Sequence, residues 1–163
     1  MANEIKPLIS SSSALTITLA SLANSTSGVG RQSTLVDNSS TRYGLILLAI
    51  NIMTGTTPTA GGSIKNYALR SDGAGTAIID DGAGASDAAW TQLNADYCYR
   101  PESGLPAIFY PTTTSNVAQK GNFVLPVPGP GWGVGVVNSS GAALHATGGN
   151  HVLTYRGLNP EIQ

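Results

Sequence analysis

RYGLILLAINIMT, residues 42–54, contains the longest apolar stretch of the chain, and the fold depends on whether it is a strand or a helix. The apolar part, YGLILLAINIM, is 11 residues long and includes Asn51, too short to cross a bilayer as a helix. It has no Glu or Lys and no N-cap signature. Thr54-Gly55-Thr56-Thr57-Pro58 and Gly61-Gly62 follow closely and would stop a helix. A strand is therefore expected, and its continuous apolar middle implies burial on both faces or in a subunit contact.

Outward from this segment the same grammar repeats. LTITLAS (15–21) alternates apolar and polar residues, and LANSTSGVGRQST (22–34) reads as a long loop before Leu35 and Val36. SIKNYALR (63–70), AIFYP (107–111), NFVLPV (122–127), WGVGVVN (132–138), ALHAT (143–147) and HVLTYRG (151–157) are each bounded by Gly, Pro, Asn or Ser, as short strands are. Pro128-Gly129-Pro130-Gly131 and Asn138-Ser139-Ser140-Gly141 mark turns, the second a hairpin connection. Ala88–Tyr99, with Trp90, Leu93 and Tyr97 spaced by three and four, is either a short helical turn or a strand. The expectation is an all-β protein, a β-sandwich of jelly-roll-like type, with residues 1–13 as an extended N-terminal arm and 14–163 as a single domain.

Charge narrows the function classes. Only 10% of the 163 residues are Asp, Glu, Lys or Arg, against about 25% in an ordinary soluble domain, and the net charge is −1. Such a surface has little electrostatic repulsion to keep copies apart, so association is expected. The eight Lys and Arg are scattered, which argues against nucleic acid as a partner. Disorder is disfavoured because 41% of residues are apolar and fall in patterned runs. Cys98 is the single cysteine, so neither an intrachain disulfide nor a thiolate zinc cluster can form, and a buried thiol is expected. The N-terminal region does not read as a secretory leader: Glu4 offsets Lys6, and Leu15, Ile17 and Leu19 alternate with threonines. No membrane anchor is expected.

Several segments are candidates for chemistry. Asp-Gly-Ala-Gly occurs at 72–75 and again at 81–84, but Thr76-Ala77-Ile78-Ile79 follows the first copy in place of a Lys-bearing helix start, so it is not a phosphate loop. The nine-residue spacing resembles a calcium β-roll, with Asp80, Asp81 and Asp87 as oxygen donors. Two copies are too few to stack, however, and glycine turns with Asp accepting local N–H bonds are expected instead. His145 and His151 flank a five-residue loop and were considered as a cross-strand metal pair, but no further ligand lies in that hairpin. There is no G-x-S-x-G, and neither catalytic residues nor a cofactor are expected. The sequons at Asn24, Asn38 and Asn138 follow from composition. Trp132 reads as a core or interface anchor and, less well, as a sugar-stacking platform with Trp90.

SLANSTSGVGRQSTLVDNSS (21–40), TPTAGGSI (57–64), DDGAGASDAAW (80–90), PGWGVGVVNSSGAAL (130–144) and HATGGNHVLTY (145–155) together resemble small virion proteins of tailed bacteriophages and prophages. Ala88–Phe123 matches that family poorly. The class includes capsid decoration, or cement, proteins built as β-sandwich trimers. The resemblance implies a non-enzymatic protein on the phage head surface, made in the host cytoplasm. Its partners would be itself, as a homotrimer, and the major capsid protein, with no nucleic acid, membrane or small-molecule substrate. A tail or head-fibre component with a carbohydrate-binding surface is the alternative. The interface candidates are Ile5, Leu8 and Ile9 of the arm, with Trp132, His145 and His151.

Overall fold

Residues 45–53 form a strand whose side chains alternate strictly: Ile46, Leu48, Ile50 and Ile52 are buried, whereas the residues between them are part-exposed or exposed. In the computed structural model, which describes residues 5–71, 84–91, 107–126 and 128–162, this strand is the fifth of eleven. They are β1 (Ile5–Ile9), β2 (Ser13–Ala14), β3 (Val29–Gln32), β4 (Val36–Asp37), β5 (Leu45–Met53), β6 (Ser63–Ser71), β7 (Ala88–Thr91), β8 (Ala107–Phe109), β9 (Ala118–Pro126), β10 (Gly131–Ser139) and β11 (Val152–Ile162). Sheet A runs β1-β11-β5-β9, with β2 also on β11; sheet B runs β7-β3-β10-β6-β8, with β4 also on β10. All pairings are antiparallel and the sheets pack face to face, so the protein is an all-β sandwich. Among the described residues there is no α-helix, only a 3-10 turn at Gly148–Asn150, and no helix long and apolar enough to cross a membrane.

The core between the sheets joins the inward row of β5 to Ile64, Trp132, Val134, Val136, Leu125 and Leu153. Each such aliphatic side chain contributes about 1.5–3 kcal/mol through removal from water. Trp132 meets Tyr155 edge-on at 5.0 Å and 88°. Sheet B is also covered on its other side, where Tyr67, Leu69, Trp90 and Val137 cluster. The alternation of WGVGVVN explains both layers. Trp132, Val134 and Val136 face sheet A, while Gly133 and Gly135 leave the opposite side bare, and a Cβ at Gly135 would lie 2.9 Å from the Trp90 ring.

The order in which the strands are joined departs from the expected hairpins. The links β5 to β6, β8 to β9, β9 to β10 and β10 to β11 each cross from one sheet to the other. Asn138–Gly141 is thus an arch between sheets, not a hairpin turn. LTITLAS alternates as read, with Leu15 and Leu19 buried, but joins no ladder. It passes between the sheets, Leu15 N–H bonding Leu153 O and Thr16 O accepting from Thr34 N–H, both at 2.9 Å. ALHAT contributes only an isolated bridge from Leu144 to Thr54. Ala88–Thr91 is a strand. The rest of the Ala88–Tyr99 segment, including Leu93, Tyr97 and Cys98, lies outside the described residues, as do the first Asp-Gly-Ala-Gly copy and Asp80 and Asp81.

Residues 5–9 are extended, as expected of an arm, but they pair with the chain's own last strand, from Ile5 opposite Ile162 to Ile9 opposite Leu158. Pairing of β5 with β11 ends at Leu45–Leu158, so beyond that point β1 and β11 form a two-stranded ribbon. The prolines fix this limit. Ser10 and Gly157 exchange hydrogen bonds, which places Pro7 and Pro160 opposite each other at a site without ladder bonds. Their missing N–H groups would point outward, so neither edge of the ribbon offers a donor there.

Candidate interaction face

The side of sheet A that faces away from the core has no layer over it among the described residues and exposes several apolar side chains. The register aligns it in rows. Leu158, Leu45 and Pro126 lie side by side, as do Arg156, Leu47 and Val124, then Thr154, Ala49 and Asn122, then Val152, Asn51 and Lys120. Met53 and Ala118 close one end and Ile9 of β1 extends the other. Val124 is 55% exposed, Ile9 48% and Val152 46%. Three strands of this length span roughly 15 by 30 Å. The largest apolar patch on a typical monomer is about 300–600 Å² and is often functional. Two shallow depressions of about 360 and 500 Å³ cross this face, sharing Ala49, Asn122 and Thr154.

The sequence forces this face into being. An aliphatic run on β5 buries alternate residues in the core and leaves Leu45, Leu47, Ala49 and Met53 on the other side, with no second layer above them among the described residues. Within the chain β5 has one buried and one open face, so burial on both faces does not occur and the open side is the one available to a subunit contact.

Of the interface candidates, Ile9 lies at the rim of this face and Leu8 is 54% exposed on the ribbon. Ile5 belongs to the same strand. Trp132 is not an interface residue: it is fully buried in the inter-sheet core. Trp90 is buried as well, so neither tryptophan offers the exposed platform the carbohydrate-binding alternative required.

His145 and His151 do lie together, but bound into the arch. His151 Nε2–H donates to the His145 carbonyl at 2.8 Å, and Met53 N–H donates to His151 Nδ1 at 3.4 Å. His145 Nδ1 accepts from Thr147 N–H and from the Asn150 amide, both at 3.0 Å. Burial holds the His151 pKa below its ordinary 6.5, a contact with the His145 carbonyl opposing it and the His145 charge adding to it. Among the described residues no three His, Cys, Asp or Glu gather as a metal site.

The second Asp-Gly-Ala-Gly copy ends in turn chemistry. Gly84 has φ +92, and the buried Gln32 amide donates to Gly84 O at 2.7 Å and Ser86 O at 2.9 Å. Asp87 accepts from Arg31 Nε and Thr18 Oγ1, which clasps this turn to β3. Burial raises its pKa, but the bonds from Arg31 and Thr18 outweigh that and hold it below 3.8. Two of the sequon asparagines are structural hubs. Asn38 donates to Tyr43 O and Gly129 O, and Asn138 donates to Leu22 O and Ala142 O while accepting from Ser140. Both are buried, so neither is open to glycosylation in the folded chain.

Lys120, Val124, Val152 and Arg156 were not singled out from sequence. The available signal was the parity of NFVLPV and HVLTYRG against the open side of β5, which needs the strand order to be read. No protein-family model matches this chain, and no curated protein matches it either.

Proposed function

We propose that this chain is a non-enzymatic structural protein of a bacteriophage virion, a capsid decoration protein that clamps neighbouring major capsid subunits on the outside of the head. The observation that carries the reading is the open apolar face of sheet A. A stable interface buries about 800 Å² on each partner, and this face supplies the apolar centre of such a contact. The scarcity of charge fits a molecule whose surface is covered by neighbours, and the collinear blocks that resemble small virion proteins indicate the kind of neighbour. The polar groups weighed for chemistry, Asp87, His145 and His151, are engaged in hydrogen bonds that hold the fold.

In this reading three copies associate around a local threefold position, and many weak, repeated contacts add to a large resistance against internal pressure. The test compares heads with and without the protein for DNA release on heating or chelation. Heads that lack it should release DNA at a lower temperature; equal fragility would refute the role.

A further inference from the structure

The charges on the open face identify what it meets. The described residues of this face carry two exposed cations, Lys120 and Arg156, and no carboxylate. Lys120 lies on β9 level with Asn51, and Arg156 lies on β11 level with Leu47, so they stand across β5 from one another, roughly 16 Å apart. Ala49 lies between them, flanked by Asn122 and Thr154, while Leu47 and Val124 continue the Arg156 row. The one ion pair among the described residues is Arg31–Asp87, far from either cation in the fold: Arg31 is on β3, in the other sheet. A two-fold self-contact would set this face against itself, with two cations on each side and, among the described residues of the face, no carboxylate to neutralise them.

We infer that the open face of sheet A seats on another protein, an apolar surface bearing carboxylates opposite Lys120 and Arg156, and not on a second copy of this chain. The inference rests on the capsid reading and specifies the chemistry of the capsid surface involved. Apolar contact over Leu47, Ala49 and Val124 supplies affinity. The two cations set register and speed association, and their effect weakens as salt screens them.

The experiment adds the purified full-length chain to heads lacking it, at low and high salt. It compares wild type with Lys120→Glu/Arg156→Glu and with the neutral Lys120→Gln/Arg156→Gln, each checked for an unchanged melting temperature. Charge reversal should weaken binding at low salt by at least about tenfold, the neutral pair by less, and wild type should lose affinity as salt rises. Reversal that leaves binding unchanged overturns this inference alone. So does a free chain that self-associates through this face, recognised by Ala49→Arg returning it to monomers. Wild type that never binds heads overturns the capsid reading, and this inference with it.

Discussion

Asn138 makes more side-chain hydrogen bonds than any charged residue among those described. Its amide bonds the carbonyls of Leu22 and Ala142, and its oxygen takes the N–H and hydroxyl of Ser140, so the end of β10, the crossing segment and the arch are fixed by one buried side chain. Asn138→Asp keeps the acceptor but removes both donors and buries a charge beside two carbonyls. It should cost about 2–4 kcal/mol in chemical denaturation, against a few tenths for the exposed Asn24→Asp. His151 makes a second prediction. Its folded pKa lies below 6.5, so the unfolded chain takes up a proton more readily. Stability should therefore fall as pH drops below about 6.5 toward that lowered value, and His151→Gln should flatten the melting-temperature profile between pH 7.5 and 5. Hydrogen-bonded histidines were the expected reading of His145 and His151, and the structure has them so; the role of Asn138 was not legible. Asn in a Ser/Gly-rich turn reads as turn chemistry, and its partners are separated from it by up to 116 residues.

Among the elements, β5 and β10 show how far pattern alone reaches. The aliphatic run of β5 and its turn signals identified the strand, and the alternation of WGVGVVN identified β10. The consequence of Gly133 and Gly135 depended on a partner, Trp90, that only the β3–β7 pairing brings across the sheet. Gly135→Val would drive a branched side chain into that ring and should cost about 1–3 kcal/mol, with a red-shifted tryptophan emission as Trp90 is displaced. Strand existence was legible because period-2 alternation is local. The arches were not, because Asn-Ser-Ser-Gly serves a hairpin and a sheet-to-sheet crossing equally well. Residues 5–9 were legible as extended, but their pairing with β11 depends on the far end of the chain.

At the scale of the whole molecule, among the described residues one sheet is covered on both sides and the other on one, and that asymmetry leaves a broad, partly apolar surface open to a partner. Ala49 stands at its centre and is exposed, so Ala49→Arg should change folding stability by no more than about 0.5 kcal/mol while abolishing attachment to heads. The shortage of charge pointed to a covered surface from the sequence; which surface was open emerged only with the strand order. Cryo-electron microscopy of intact heads carrying the protein tests the account most directly. It should show Leu47, Ala49 and Val124 occluded against a capsid subunit, with acidic side chains beside Lys120 and Arg156. Heads on which this face looks into solvent, with the protein attached by another surface or absent, would contradict it.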